Sequence, residues 1–124
     1  MTRPRRRRPE DEAQKAVVDY LNAILVPSYR VFAIPNASRR TASGKPANAV
    51  PGLRPGVPDL AITGKGHVYF IEMKSPKGEL SEAQEEWANW CCTRGSTPWC
   101  LARSVADVRE ALTHWGIKTR ESSE

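Results

Sequence analysis

Two short apolar segments joined by a glycine turn constrain the fold of this 124-residue chain more than any other feature. Residues 59–63 (Asp-Leu-Ala-Ile-Thr) and residues 67–73 (His-Val-Tyr-Phe-Ile-Glu-Met) are separated by Gly64-Lys65-Gly66. A short glycine-containing turn between two such segments is typical of an antiparallel β-hairpin. The sequence therefore predicts a sheet that contains this hairpin.

The segments around the hairpin predict an α/β domain. Apolar residues recur at three- and four-residue spacing in segments 10–26, 81–93 and 104–115, which predicts three helices. Segments 30–34 and 98–102 predict two further short strands. The predicted order is α-β-β-β-α-β-α, with one mixed sheet flanked by helices and no internal repeat.

The net charge of +5 arises in the N-terminal tail. Five of the 19 Lys and Arg residues lie within the first eight positions, where there is no acidic residue, so the rest of the chain is formally neutral. A run of like charge is usually disordered and often binds polyanions. The tail, residues 1–9, is expected to add non-specific affinity for nucleic acid, and a merely solubilising terminus is an equally good interpretation. The domain is expected at 10–117, with a C-terminal tail at 118–124.

A second basic region lies inside the predicted domain. No Asp or Glu occurs between Asp19 and Asp59, and this interval contains five cationic residues: Arg30, Arg39, Arg40, Lys45 and Arg54. Within it, residues 35–58 are rich in proline and glycine and form a connection too long to be an idle loop. A basic loop region suggests a phosphate backbone as partner.

The sequence argues against a membrane or secreted protein. No apolar segment reaches the roughly 20 residues that a membrane helix needs, and no apolar region of a signal peptide follows the basic start. Cys91, Cys92 and Cys100 lack metal-ligand spacing. We therefore expect reduced, buried thiols and a cytoplasmic protein.

The chemistry is expected at the open end of the hairpin. Counting outward from the turn brings Asp59 near Glu72, and strand alternation puts Glu72 and Lys74 on one face. Two carboxylates suit a hard cation such as Mg²⁺, with the Met73 carbonyl as a third oxygen. The metal would polarise a phosphate and activate water, while Lys74 would orient that water or neutralise developing charge. The alternative is a strand-end ion pair between Glu72 and Lys74, with Asp59 capping a helix.

Two further polar residues are candidates for the same site. Gln84 either closes a capping box with Ser81 or points at the metal's water or the phosphate, and the sequence favours neither interpretation. Glu10 and Gln14 share one face of the first helix. An acidic first turn that complements the helix dipole is the simpler interpretation of Glu10.

The order of these residues resembles the VRR-Nuc domain, a branch of the PD-(D/E)xK nuclease superfamily, in the small stand-alone form found in phages and bacteria. The resemblance covers residues 10–117 and is specific through the combination of its motifs. In chain order they are Glu10-x-x-x-Gln14-Lys-Ala-Val-Val, Ile34-Pro-Asn36, Leu53-Arg-Pro-Gly-Val-Pro-Asp59-Leu, Ile71-Glu-Met-Lys74, Gly78-Glu-Leu-Ser-Glu-Ala-Gln84 and Ala102-Arg-Ser-Val-Ala-Asp-Val.

The resemblance implies a function and roles for the site. It implies metal-dependent hydrolysis of DNA phosphodiester bonds, a likeness to Holliday-junction resolvases that act on branched DNA, and a homodimer. Asp59 and Glu72 would bind Mg²⁺ or Mn²⁺, Lys74 would be catalytic, and Gln84 would belong to the site. Glu10 would lie near the metal, or Glu12 if the first helix is shifted by two residues.

The expected DNA contacts come from the basic loop region and the turn after the hairpin. They are Asn36, Arg39, Arg40, Lys45, Arg54 and Lys77. Two other functions are compatible with the same residues. One is a DNA-binding module of this fold that does not cut, and the other is a restriction-type nuclease with sequence preference.

Overall fold

The structure, a computed structural model, describes residues 9–35 and 51–122, with side chains from residue 11 onward. Its elements are α1 (Pro9–Ile24), β1 (Tyr29–Ala33), β2 (Leu60–Gly64), β3 (His67–Met73), α2 (Glu82–Cys92), β4 (Trp99–Ala102) and α3 (Val105–Trp115). The predicted α/β order is confirmed; the predicted boundaries of β3 agree with the structure, and the others differ by at most two residues. No helix in this part of the chain is both long and apolar enough to cross a membrane.

The four strands form one mixed sheet in the order β1-β2-β3-β4. The pairs β1–β2 and β2–β3 are antiparallel, whereas β3 and β4 are parallel. Gly64 pairs with His67, so the turn between β2 and β3 contains only Lys65 and Gly66. Both have positive φ angles, 51° and 82°, as two-residue hairpin turns that match the strand twist require.

The hydrophobic core lies between one face of the sheet and the helices α1 and α3. Val17 and Leu21 of α1 are fully buried, and Val108 and Leu112 of α3 are 0% and 3% exposed. They pack against alternate residues of the strands, which are Leu60, Ile62, Tyr69, Ile71, Met73 and Ala102. Because side chains alternate along a strand, the residues between these face the other side of the sheet.

Helix α2 lies on that other side. Phe70, which precedes core residue Ile71 in β3, contacts Trp87 of α2 with ring centroids 5.9 Å apart in an edge-to-face arrangement. Glu72 lies two residues after Phe70 in β3, so its side chain faces the same side of the sheet. The hairpin carboxylates therefore lie away from the main core, on the α2 side of the sheet.

The segment after α3 returns to α1. Gly116, with φ of 71°, ends α3, and Thr119 then forms a β-bridge with Leu25. The Arg120 amide donates to the Ile24 carbonyl at 2.8 Å. The Tyr20 hydroxyl donates to the Glu121 carboxylate at 2.5 Å, so the end of the described chain is fixed to the helix that begins it.

The cysteines are free thiols in unlike environments. Cys91 is buried and Cys100 is half-buried. Burial raises the pKa of Cys91 and raises that of Cys100 to about 12, which keeps both thiols protonated. The expectation of burial is wrong for Cys92, which is exposed because it lies on the outer side of the last turn of α2.

Candidate active site

The open end of the hairpin brings Asp59 to the backbone of β3. Leu60 pairs with Ile71, and the next positions outward are Asp59 and Glu72. The Asp59 Oδ2 atom accepts a hydrogen bond from the Met73 backbone N–H at 2.8 Å, and the Asp59 carbonyl accepts one from the Ile34 N–H at 2.8 Å. The side chain thus crosses from one strand to the next, directly beside Glu72.

Both carboxylates are buried at the end of the hairpin. Glu72 is 0% exposed and Asp59 is 7% exposed. A buried carboxylate is costly unless it is hydrogen-bonded, ion-paired or bound to a metal. Lys74 directly follows β3 and is half-buried. Asp59 caps no helix, since it precedes β2.

Gln84 forms the capping box that the sequence suggested and, in addition, contacts Glu72. Its Oε1 atom accepts from the Ser81 N–H at 2.8 Å, and the Ser81 Oγ accepts from the Gln84 N–H at 3.2 Å. These two bonds form a complete capping box at the start of α2. The Nε2 atom of the same amide donates to Glu72 Oε2 at 3.4 Å. The cap therefore fixes a side chain that also orients a site carboxylate.

The loop before Asp59 packs directly on the start of α2. Gly56 has a φ of 82°, and a Cβ atom built on it would overlap the Ala83 carbonyl oxygen and lie 2.9 Å from the Gln84 nitrogen. Only glycine fits this contact. The segment that leads to Asp59 and the helix that carries Gln84 are thereby held at a fixed backbone separation.

The other predicted site residues are described unequally. Arg54, in the loop before β2, and Lys77, in the turn after β3, are exposed. Glu10 lies in the first turn of α1, but its side chain is outside the described part, and Glu12 is exposed. The remaining predicted DNA contacts also lie outside the described residues: Asn36, Arg39, Arg40 and Lys45.

The oxygen donors at this site suit Mg²⁺ or Mn²⁺. The chain offers the carboxylates of Asp59 and Glu72 and the adjacent carbonyl of Met73, all hard oxygen ligands. In residues 11–35 and 51–122, no three His, Cys, Asp or Glu side chains are grouped so as to hold a metal ion. That is compatible with Mg²⁺, because this ion is usually held by one or two carboxylates and keeps several waters or substrate phosphate oxygens.

Sequence reasoning passed over Arg103, which follows β4. Its guanidinium donates to backbone carbonyl oxygens in the turn between Lys74 and α2. Carbonyl acceptors leave no mark in a sequence. In the structure, the parallel pairing of β3 with β4 places the residues after the two strands side by side.

Comparison with known proteins identifies the family. Residues 11–104 match the model of the VRR-NUC domain, a range that includes Asp59, Glu72, Lys74 and Gln84. No curated protein and no solved structure matches the chain. Nucleases with this domain typically depend on a divalent metal. The chain belongs to the VRR-NUC family and contains a nuclease-type domain that acts on DNA.

Proposed function

We propose that the protein is a divalent-metal-dependent endonuclease that hydrolyses phosphodiester bonds in structured, branched DNA, in the manner of a Holliday-junction resolvase. The observation that supports this most directly is the hydrogen bond from the Met73 N–H to Asp59. It brings a second buried carboxylate to the position of Glu72 in a chain of the VRR-NUC family.

The carboxylates and their partners have distinct tasks in this proposal. Asp59, Glu72 and the Met73 carbonyl would hold Mg²⁺ or Mn²⁺. When bound, the ion supplies Lewis-acid polarisation of the phosphate and a lowered pKa for the attacking water. The Met73 N–H fixes the rotamer of Asp59, and the Gln84 amide orients Glu72. Both carboxylates are thus prearranged, which reduces the entropy lost when a ligand binds.

Lys74 is the cation closest in sequence to the paired carboxylates. It follows β3 two residues after Glu72, on the same strand face, and it is half-buried. We infer that it orients the attacking water or neutralises negative charge that develops on the phosphate.

Contacts to the DNA backbone are proposed for the basic side chains. Arg54 and Lys77 are accessible to solvent and would contact phosphates without reading sequence. The same role is proposed from sequence for Asn36, Arg39, Arg40 and Lys45. A homodimer, which the family resemblance implies, would supply the two sites that symmetric cutting of a four-way junction requires.

Cleavage of a labelled four-way junction tests the proposed function. The wild-type protein is expected to cut the junction near its branch point in Mg²⁺ or Mn²⁺ and not in EDTA, and to spare a linear duplex of the same sequence. Glu72→Gln, which keeps the size of the side chain, is expected to bind the junction without cutting it. Binding without cutting by the wild type in either metal would instead identify a non-cleaving DNA module. Cuts that follow sequence across unrelated duplexes would identify a restriction-type nuclease.

Gln84→Glu separates the two tasks of Gln84. Glutamate completes a capping box as well as glutamine does, but it cannot donate a hydrogen bond to Glu72 when ionised. We expect the cleavage rate to fall by about 10- to 100-fold, as for other residues that orient metal ligands, while α2 stays folded by circular dichroism.

The matched control for Gln84→Glu is Ser81→Ala. It removes the hydroxyl that caps α2 and leaves the Gln84 side chain in place. This variant should lose about 1 kcal/mol of stability and keep its cleavage rate. A cleavage rate equal to that of the wild type in Gln84→Glu would show that the hydrogen bond to Glu72 has no part in the reaction.

A further inference from the structure

The turn between β3 and α2 is held by one guanidinium. Arg103 Nη1 donates to the carbonyl oxygens of Ser75 at 2.5 Å and Gly78 at 2.7 Å. A longer contact of 3.3 Å reaches the carbonyl of Pro76. The Nη1 group carries two N–H donors, so it can join the Ser75 and Gly78 carbonyls across the turn.

Arg103 is itself fixed by the sheet and by α3. Met73 pairs with Ala102 in the parallel ladder, and the Lys74 N–H donates to the Ala102 carbonyl at 3.0 Å. The Arg103 N–H donates to Asp107 Oδ2 at 2.8 Å in the first turn of α3. The guanidinium therefore extends from a rigid point, level with Lys74, toward the turn.

The turn at residues 75–78 packs on the Lys74 side chain. The Gly78 N–H donates to the Ser75 carbonyl at 3.0 Å, which closes the turn. A Cβ atom built on Gly78 would lie 3.5 Å from Lys74 Cδ and 2.9 Å from Ser75 Oγ. The turn thus folds back against the aliphatic part of the Lys74 side chain, and three residues after Gly78 the chain reaches Ser81, the cap of α2.

We propose that Arg103 is a positioning residue of the active site, which sets the turn at residues 75–78 and through it the Lys74 side chain and the start of α2 with Gln84. This rests on the proposed nuclease function. Arg103 is half-buried and its Nη1 is engaged with the protein backbone. These contacts favour a role within the protein over a contact with a DNA phosphate.

Arg103→Ala, Arg103→Lys and the control Arg94→Ala test the proposal. Arg94 is an exposed arginine after α2, so its removal matches the change in charge. We expect Arg103→Ala to lower the single-turnover cleavage rate by about 10²-fold, the effect of a misplaced reacting group. Its Kd for the junction, measured in Ca²⁺, should stay at the Arg94→Ala value. Arg103→Lys should retain part of the rate, and added guanidinium at millimolar concentration should restore part of the Arg103→Ala rate.

A second measurement does not depend on nuclease activity. Backbone hydrogen exchange of residues 75–80 should be faster in Arg103→Ala than in the wild type, and unchanged in Arg94→Ala. Unchanged exchange at residues 75–80 in Arg103→Ala would show that Arg103 does not stabilise the turn, and this result would not depend on nuclease activity. A wild type that cleaves no DNA would overturn the proposed function instead, so the two failures are distinguishable.

Three kinetic results would overturn the positioning role. One is a cleavage rate of Arg103→Ala that equals the rate of the wild type. Another is a rise in Kd that accounts for the whole loss of activity, which would identify a DNA contact. The third is a loss of rate that disappears after correction for the folded fraction, since it would reflect stability alone.

Discussion

Asp59→Asn is expected to lower DNA cleavage by at least about 10³-fold and, at the same time, to stabilise the protein in the absence of metal. The amide oxygen that replaces the carboxylate oxygen can still accept the hydrogen bond from the Met73 N–H, so the local geometry is kept. What is lost is the negative charge that would hold the cation. The variant therefore removes the chemistry without removing the structure.

The gain in stability follows from burial. Asp59 is 7% exposed, and its carboxylate forms one side-chain hydrogen bond with the described residues. Neutralising such a buried charge should raise the free energy of unfolding by about 1 kcal/mol, which corresponds to roughly 4 °C in Tm for a domain of this size. Functional sites that bind a ligand commonly reduce the stability of the ligand-free protein.

Thermal unfolding with and without metal, together with junction cleavage, measures both effects. Added Mg²⁺ or Mn²⁺ should raise the Tm of the wild type, because it binds only the folded state, and should leave the Tm of Asp59→Asn unchanged. The control is Asp19→Asn, which breaks only the exposed ion pair with Lys15 and should change neither property. An Asp59→Asn protein that still cuts, or whose Tm rises with metal as the wild type's does, would contradict the site.

Gly56→Ala is expected to be the most damaging single-methyl change in the described chain. The new methyl group would overlap the Ala83 carbonyl oxygen, and the backbone would stay at a φ of 82° that alanine rarely adopts. Left-handed strain costs about 1–2 kcal/mol, and overpacking adds about 1–3 kcal/mol. We expect a loss of about 3 kcal/mol of stability and a displaced α2 that carries Gln84 away from Glu72.

Gly52→Ala separates these two causes. Gly52 has a φ of 91°, but a Cβ atom there would meet nothing within 4 Å. This variant should lose only the backbone term, about 1 kcal/mol, and keep its cleavage rate. Urea unfolding of both variants measures the difference. If the two variants were equally stable, the contact between the loop and α2 would be unimportant.

The hairpin shows why part of the site could be predicted from sequence. Strand side chains alternate with a period of two, and a short turn fixes the register, so the position of Asp59 relative to Glu72 follows from counting. The structure gives a two-residue turn at Lys65 and Gly66 and pairs Leu60 with Ile71. These are properties of neighbours in the chain, which a single sequence contains.

The contacts that escaped prediction depend on the backbone. Arg103 binds carbonyl groups, and every residue has one, so nothing in the sequence of 75–78 marks it as the partner. Gly56 is defined by its distance to Ala83, which depends on how the loop meets α2. For Gln84, the sequence left open a capping box or a contact with the metal's water or the phosphate. The structure shows the capping box and, through the amide nitrogen, a hydrogen bond to Glu72 that the sequence did not suggest.

Helix α3 lies beyond the residues that match the family model, which end at 104, yet Val108 and Leu112 complete the core beneath the hairpin. Ile117 also belongs to this core, and Arg120 closes on the end of α1. During synthesis, the hairpin and both carboxylates leave the ribosome well before these residues do. The sheet lacks a large part of its apolar cover until then. Because α3 covers this face of the sheet, a chain truncated at residue 104 is expected to lose packing that holds the hairpin and its two carboxylates in place.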